Sequence, residues 1–360
     1  GTFIADAPLL DIRAIGVDIN PLSALIAKVK CNLAIDLDSL KSAMLNLFNK
    51  LVQPKVLKPT PTTNIQLIQS IKGMIDELAV DQSIKDFFYV ILSRQIIKLI
   101  EHKRFTNLIK HFKKDAVTFY LLLFAFKEMA KRIGLEFEKD SCKIYLADSR
   151  NLDFINTESI DGILGSPPYF DAVDYIRPSK IPIALLGLLS PAEIESLKEK
   201  TIGSKSGSKY DVNLDLKILP ESGAFVVNEL RRFGRFSKAS LVFQYLCDMR
   251  DLFAELYRVL KSDGRMVLVV GRYHHWKFKD VEAVVDGAQL LIDLAEAVGF
   301  ALEEELSHRL SKIDVGKVRQ ESIIIFKKGG TSKKKPRPII TFERKAKPLD
   351  EWLGRPPKYS

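Results

Sequence analysis

Residues 161–169 read DGILGSPPY, a short apolar run followed by a glycine, a serine, two prolines and a tyrosine. The apolar run predicts a buried strand, and the stretch from Gly165 to Tyr169 follows it directly. Pro167 and Pro168 fix φ twice and remove two N–H donors, so the backbone carbonyls are held in a rigid arc. Such an arc beside a serine hydroxyl can hold an amino group by its hydrogens, and the ring of Tyr169 can stack on a base. The stretch therefore indicates a ligand site at the carboxyl end of a strand.

The rest of the sequence alternates between short apolar runs and segments of helical periodicity. This alternation predicts an α/β fold with a mostly parallel central sheet and helices on both faces, and the last strand is expected to be reversed. The predicted strands are Ala14–Val17, Lys143–Ala147, Gly162–Leu164, Arg265–Val270, Glu303–Leu306 and Ser322–Phe326. Three helices are predicted: one that begins at Pro21, one over Leu246–Leu260 and one over Gly287–Val298. The second is expected to end before a turn at Ser262–Gly264.

We predict a helical insertion within this α/β pattern. Apolar residues between 34 and 140 recur at helical spacing, so this range is expected to be helical. The α/β part then comprises residues 1–33 and 141–328. Within it, 171–240 is rich in Gly, Ser and Lys and is the favoured recognition segment, with the insertion as the other candidate. Residues 329–360 are expected to form a basic tail.

The charge of the chain is unevenly distributed. The net charge is +10, and residues 327–360 hold eleven Lys and Arg against three Asp and Glu. A basic, Pro-rich tail suits an anionic partner such as nucleic acid, although a solubilising tail has the same composition.

The sequence points away from metal, disulfide and membrane chemistry. Cys31, Cys142 and Cys247 are far apart and form no CxxC pair, so neither a zinc site nor a disulfide framework is expected. No apolar run is long enough to span a bilayer and no signal peptide is recognised, so we expect a cytoplasmic location.

The stretch from Ser166 to Tyr169 resembles the catalytic motif [S/N/D]PP[Y/F/W] of the amino-methylating DNA methyltransferases. Its serine is most similar to the motif of the enzymes that methylate N4 of cytosine. The residues after the motif resemble a subgroup in which a DY pair, an arginine and a lysine follow, here Asp174, Tyr175, Arg177 and Lys180. Residues 247–271 are similar to the helix, turn and strand of class I methyltransferases.

The resemblance implies a Rossmann-like class I fold that binds S-adenosyl-L-methionine. An acidic residue at the end of a strand would hold the ribose hydroxyls, a role that Asp18 matches, and Asp148 would meet the adenine amino group. The expected cofactor-binding residues are Gly1, Thr2, Asp18, Ile19, Asn20, Asp148, Ser149 and Gly165.

The glycine-rich loop of the family, DPFxGxGT, should precede Asp18. This chain begins GTF, which is similar only to the end of that loop. The first strand and most of the loop are therefore expected to be missing, and the chain alone is expected to bind cofactor poorly.

For catalysis, the resemblance implies direct methyl transfer to an exocyclic amino group of a DNA base that has left the helix stack. Ser166, Pro167, Pro168 and Tyr169 would form the catalytic set, with cytosine N4 as the first choice of substrate. The expected partners are double-stranded DNA and a restriction endonuclease. The expected DNA contacts are Arg177, Lys180, Lys205, Lys209, Arg231, Arg232 and Arg235.

Three alternatives remain open at this point. Two of them keep the methyl transfer to an amino group but change the base, to adenine N6 in DNA or to guanine N2 in tRNA. A DNA-binding protein that keeps the fold without catalysis would also retain much of this sequence.

Overall fold

A computed structural model describes residues 2–51, 61–101, 107–134, 141–169, 176–203, 215–278, 281–309, 320–333 and 337–344. The chain forms two compact units. Unit 1 comprises Gly1–Ser149 and Asp174–Thr201, and unit 2 comprises Arg150–Val173 and Ile202–Ser360. The predicted segment 171–240 is therefore divided between the two units. No helix in the described ranges is both long and apolar enough to cross a membrane.

Unit 1 contains a two-stranded parallel sheet and eight α-helices among its described residues. The strands are β1 (Ala14–Asp18) and β2 (Cys142–Leu146). The helices are α1 (Thr2–Asp6), α2 (Pro21–Cys31), α3 (Leu37–Lys50), α4 (Pro61–Asp76), α5 (Gln82–Glu101), α6 (Leu108–Arg132), α7 (Lys180–Leu186) and α8 (Pro191–Lys200).

The turn between β1 and α2 is built from local sequence signals. The Asn20 side chain accepts hydrogen bonds from the backbone N–H groups of Leu22 and Ser23, at 3.0 and 3.3 Å. Pro21 occupies the first turn of α2, where a missing N–H costs nothing. The strand and the helix start predicted from this stretch are confirmed.

Helices α3 to α6 fall within the predicted helical range 34–140. They bury one apolar face each in a common core, to which Leu40, Ile71, Phe88 and Phe112 contribute fully buried side chains. Burial of these side chains, rather than helix propensity alone, stabilises such a group of helices.

Unit 2 contains seven strands and three α-helices among its described residues. The strands are β3 (Ile160–Gly165), β4 (Leu260–Gly271), β5 (Tyr273–Phe278), β6 (Val281–Asp286), β7 (Phe300–Arg309), β8 (Gln320–Lys328) and β9 (Ile340–Arg344). The helices are α9 (Glu221–Arg232), α10 (Phe236–Val259) and α11 (Gly287–Val298).

The sheets are smaller and more mixed than the sequence predicted. One sheet has the order β3-β4-β8-β7 and another has the order β5-β6-β9. Among the strands that the structure describes, only β1–β2 and β3–β4 pair in parallel; the other four pairings are antiparallel. The expected mostly parallel central sheet is thus not observed, because antiparallel β8 pairs with both β4 and β7. The expectation of a reversed last strand in the α/β part is confirmed by β8.

Two predicted boundaries differ from the structure. Helix α10 begins at Phe236, ten residues before the predicted start at Leu246. The turn expected at Ser262–Gly264 lies within β4, where Asp263 has φ of 62° and the register with β3 shifts. A side chain at Gly264 would come within 2.8 Å of Leu260 and of the Lys261 carbonyl, so this irregularity requires glycine.

The predicted basic tail contributes to the fold. Residues 340–344 form β9, which pairs with β6. Just before it, the Arg337 guanidinium lies 2.8 Å from Asp286 and 2.5 Å from Glu305. Asp286 is only 4% exposed and its carboxylate also caps α11 by accepting a hydrogen bond from the Gln289 N–H. Burial raises the pKa of Asp286, so its charge depends on a nearby cation.

Replacing Arg337 by alanine should destabilise unit 2 by about 3 kcal/mol. The change removes the cation that Asp286 and Glu305 share and leaves the more distant Arg272, 4.0 Å from Asp286, beside the two shielded carboxylates. Arg265→Ala removes a more exposed arginine from its pair with Glu303 and should cost much less, because solvent screens this pair. Urea denaturation of both variants measures the difference. Equal decreases in the free energy of unfolding would show that the Arg337 ion pairs stabilise unit 2 no more than the exposed pair does.

Candidate active site

The Ser-Pro-Pro-Tyr turn leaves the carboxyl end of β3 in unit 2. Strand β3 pairs in parallel with β4, with Gly165 opposite Leu268. Ser166 is exposed, whereas Pro167, Pro168 and Tyr169 are half-buried. Ser166 is therefore open to solvent on a turn whose prolines are partly packed, as an accessible binding residue on a rigid support requires.

Two side chains from distant parts of unit 2 hold this turn. The Tyr245 hydroxyl, on α10, donates a hydrogen bond of 2.9 Å to the carbonyl of Pro168. The Tyr169 hydroxyl donates to the carboxylate of Glu321 on β8. Tyr245 is 2% exposed, so its hydroxyl approaches from the core. Tyr245 thus fixes the backbone of the turn at Pro168, and Glu321 fixes the hydroxyl end of the Tyr169 side chain.

Helix α10 also anchors the segment that leads into β3. The Arg150 guanidinium lies 2.5 Å from Asp248 in a largely buried pair, and Gln244 donates to the same carboxylate at 2.9 Å. Two turns further along, Glu255 accepts a hydrogen bond of 2.8 Å from the backbone N–H of Leu152. These contacts order the chain before β3 from the same helix that holds the turn after it.

The two acidic residues expected at the cofactor site meet at one edge of the sheet in unit 1. Strands β1 and β2 run in parallel, with Asp18 opposite Leu146, and the Ala147 N–H donates to the Asp18 carbonyl at 3.2 Å. Asp18 is the last residue of β1, and Asp148 comes two residues after the end of the neighbouring β2, both at the carboxyl ends of the strands. Both are half-buried. This is the edge at which parallel sheets bind ligands.

The environment of Asp18 makes its charge costly. Burial raises the pKa of the carboxyl, and the Asn20 N–H opposes this by donating a hydrogen bond of 2.8 Å to it. A carboxylate that is partly withheld from water and bonded on one side is suited to accept hydrogen bonds from hydroxyl groups of a ligand.

The other expected cofactor-binding residues have different surroundings. Asn20 is only 8% exposed. Its side-chain oxygen caps α2, and its amide nitrogen donates a hydrogen bond of 2.9 Å to the Ser179 hydroxyl. Ile19 and Ser149 are half-buried beside the two aspartates, and Thr2 begins α1.

A Cβ on Gly165 would lie 3.7 Å from Leu268, an ordinary contact, so the fold itself does not require glycine there. Gly1 lies outside the described residues.

The expected DNA contacts that the structure describes are divided between the two units. Arg177 is exposed in the turn before α7, and Lys180 pairs with Glu195 at 2.6 Å, both in unit 1. Arg231, Arg232 and Arg235 lie at the end of α9 and the start of α10 in unit 2, and Arg232 pairs with Glu229. The remaining motif and contact residues, Asp174, Tyr175, Lys205 and Lys209, lie outside the described residues.

Tyr245 and Glu321 are not predicted from the sequence as partners of the turn. Tyr245 lies on an apolar helix face and Glu321 near the start of a strand, so each resembles an ordinary core or surface residue. Sequence separations of 77 and 152 residues from the turn leave no local signal that could pair them with it.

No family model matches this sequence, and no curated protein matches it. Solved structures that match include three of TTHA0409 from Thermus thermophilus, which carries a provisional description as a DNA modification methylase. One of the three is complexed with S-adenosyl-L-methionine. Identities are 14–16%, and the alignments cover 53% of this chain and 54–56% of the other, with TM-scores of 0.25–0.27. The chain thus spans little more than half of the length of TTHA0409. At these TM-scores, functional assignment depends on this chain's own residues.

Replacing Asp18 by asparagine should leave the melting temperature of the chain at pH 7 unchanged or raised. Burial raises the folded pKa of Asp18, so its contribution to stability is present at low pH and is lost as the pH rises through the folded value. Asparagine keeps the acceptor for the Asn20 N–H without the charge. Any advantage of the variant should shrink towards pH 3, as thermal melts at several pH values can measure. A large drop in melting temperature at pH 7 would contradict this interpretation.

Proposed function

We propose that this chain is part of an S-adenosyl-L-methionine-dependent DNA methyltransferase that transfers a methyl group to an exocyclic amino group of a base. The observation that carries the proposal is the exposed Ser166 on a double-proline turn after β3, held by Tyr245 and Glu321. A turn anchored at both ends can present acceptors to an amino group without rearranging when the ligand arrives.

The cofactor would be held by unit 1. Asp18 and Asp148 follow adjacent parallel strands, and their carboxylates suit the hydroxyl and amino donors of the ribose and adenine. The half-buried position of Asp18 at the strand end supports a role in ligand binding, and burial raises the pKa of its carboxyl, as is frequent at functional sites. When bound, S-adenosyl-L-methionine supplies an electrophilic methyl group.

The residues of the turn would orient the acceptor nitrogen. The Ser166 hydroxyl and the Pro167 carbonyl accept the two amino hydrogens and so keep the nitrogen lone pair available. The Pro168 carbonyl already accepts a hydrogen bond from Tyr245, which fixes the direction of the arc. Tyr169, tethered through its hydroxyl, offers its ring to the base that has left the stack.

Cytosine N4 is the proposed target because the motif begins with serine. Methylation of adenine N6 would use the same residues on a different base. A restriction endonuclease partner and a cytoplasmic location remain predictions from the sequence.

The test is incubation of the full-length protein with labelled cofactor and unmethylated DNA, followed by mass spectrometry of the nucleosides. N4-methylcytosine would support the proposal in full, and N6-methyladenine would change only the base. Transfer to tRNA instead of DNA would overturn the substrate class. Cofactor-free binding to DNA without any transfer would point to the non-catalytic alternative.

Ser166→Ala should lower the rate of methyl transfer by about 100-fold, because it removes an acceptor aimed at the amino group. The melting temperature should not change, since Ser166 is exposed. Ser262→Ala, on an exposed residue of the same unit, is the matched control. Tyr169→Ala should cost about tenfold or more through lost stacking, whereas Tyr169→Phe should cost less. Full rates in Ser166→Ala and Tyr169→Ala together would refute this assignment.

Tyr245→Phe should lower kcat about tenfold while leaving the KM for cofactor unchanged, because the Pro168 carbonyl loses the hydrogen bond that orients the turn. The loss of stability should be about 1 kcal/mol. Tyr257→Phe removes a hydroxyl from the same helix but retains the ring packing on Phe300, and serves as control. Indistinguishable kinetics of the two variants would exclude a positioning role for Tyr245.

A further inference from the structure

An open pocket of about 370 Å³ lies in unit 2 where α9 turns into α10. Gly234 adopts φ of 68° in this turn, a left-handed value that allows the short connection between the two helices. The start of α10 forms one wall and β5 supplies the other through Trp276 and Lys277. The volume is within the range of small-ligand sites.

The wall of the pocket is cationic. Arg235 and Lys238 contribute from the start of α10, and Lys277 contributes from β5. The described residues that line the pocket include no acidic one. The Lys238 ammonium lies 4.5 Å from the centre of the Trp276 ring, a cation–π contact that holds the charge at the wall. Three positive charges from two elements favour an anionic ligand.

The lip of the pocket carries an exposed aromatic ring. Phe236 is 64% exposed at the first position of α10. An exposed phenyl beside clustered cations is the combination by which proteins bind single-stranded nucleic acid, with bases on rings and phosphates on cations. Trp276 does not provide this platform, since it is only 2% exposed.

We propose that this pocket binds a backbone phosphate of a DNA strand through Arg235, Lys238 and Lys277, while an adjacent unstacked base lies on Phe236. The choice of DNA as the polyanion rests on the function proposed above. The site itself uses residues other than those of the Ser-Pro-Pro-Tyr turn. An isolated phosphate or a free nucleotide shares part of this chemistry but would engage fewer of the groups.

The test is fluorescence anisotropy of the full-length protein with a labelled single-stranded DNA at several salt concentrations. The double variant Lys238→Gln/Lys277→Gln should weaken binding and lower the slope of log Kd against log salt by about one for each phosphate that is no longer neutralised. Lys261→Gln/Lys327→Gln makes the same change in net charge, at two exposed pairs with Asp161 and Asp263 of this unit. This control should retain the wild-type slope.

Phe236→Ala should weaken single-stranded DNA binding about tenfold with an unchanged salt slope, because stacking is not electrostatic. Inorganic phosphate and dAMP serve as competitors. Displacement of the DNA by either at low concentration would overturn the strand assignment in favour of a small-molecule site. Tighter binding of RNA than of DNA, or equal slopes in the two double variants, would also overturn it.

Methyl transfer is measured separately on the same variants. If binding depends on the pocket but wild-type protein methylates no substrate, the proposed function fails and the pocket assignment stands. If methylation occurs and the pocket variants behave as the control pair does, the pocket assignment alone fails.

Discussion

Burial of helix α10 in the core of unit 2 is the constraint on which the candidate active site depends. One face of the helix packs through Phe243, Leu246 and Phe253, all at most 1% exposed. Because this face is fixed by packing, the polar groups that the helix carries into the interior are fixed as well. Tyr245 reaches the Ser-Pro-Pro-Tyr turn, and Asp248 reaches Arg150 in the segment before β3. Strand β3 is thus held on both sides by a single rigid element.

The polar contacts of α10 also explain why buried polar groups are retained there. A buried tyrosine hydroxyl and a buried carboxylate each require a partner. The hydroxyl of Tyr245 finds one in the Pro168 carbonyl, and the carboxylate of Asp248 finds one in Arg150 and a second in Gln244 of the same helix. The double-proline turn needs such an anchor, because prolines have no N–H with which to join a neighbouring strand. The acceptor carbonyl of Pro168 and the ring of Tyr169 provide the two points of attachment.

Charge in unit 2 has two distinct roles. The cluster of Arg337, Asp286 and Glu305 is shielded, and its two carboxylates share Arg337 while Arg272 lies 4.0 Å from Asp286. It ties the segment before β9 to the start of α11. The cations around Phe236 instead line an open pocket with no acidic residue among its described lining. Matched charges in a shielded place are typical of a structural contact, whereas like charges around a cavity favour binding of an anion.

The sequence by itself determined the elements whose signals are local. Strand β1, the start of α2 at Pro21, the helices of 34–140, helix α11 and the strand before Ser166 follow from apolar periodicity and from residues that start or end a helix. It also singled out the Ser-Pro-Pro-Tyr turn, because two prolines restrict the backbone wherever they occur. Only the tertiary structure decided the antiparallel order β4-β8-β7, the pairing of β9 from the predicted tail, and the partners Tyr245 and Glu321. These pairings and contacts join residues that are far apart in sequence. They depend on which apolar faces can be buried together and on which polar groups then need a hydrogen-bond partner.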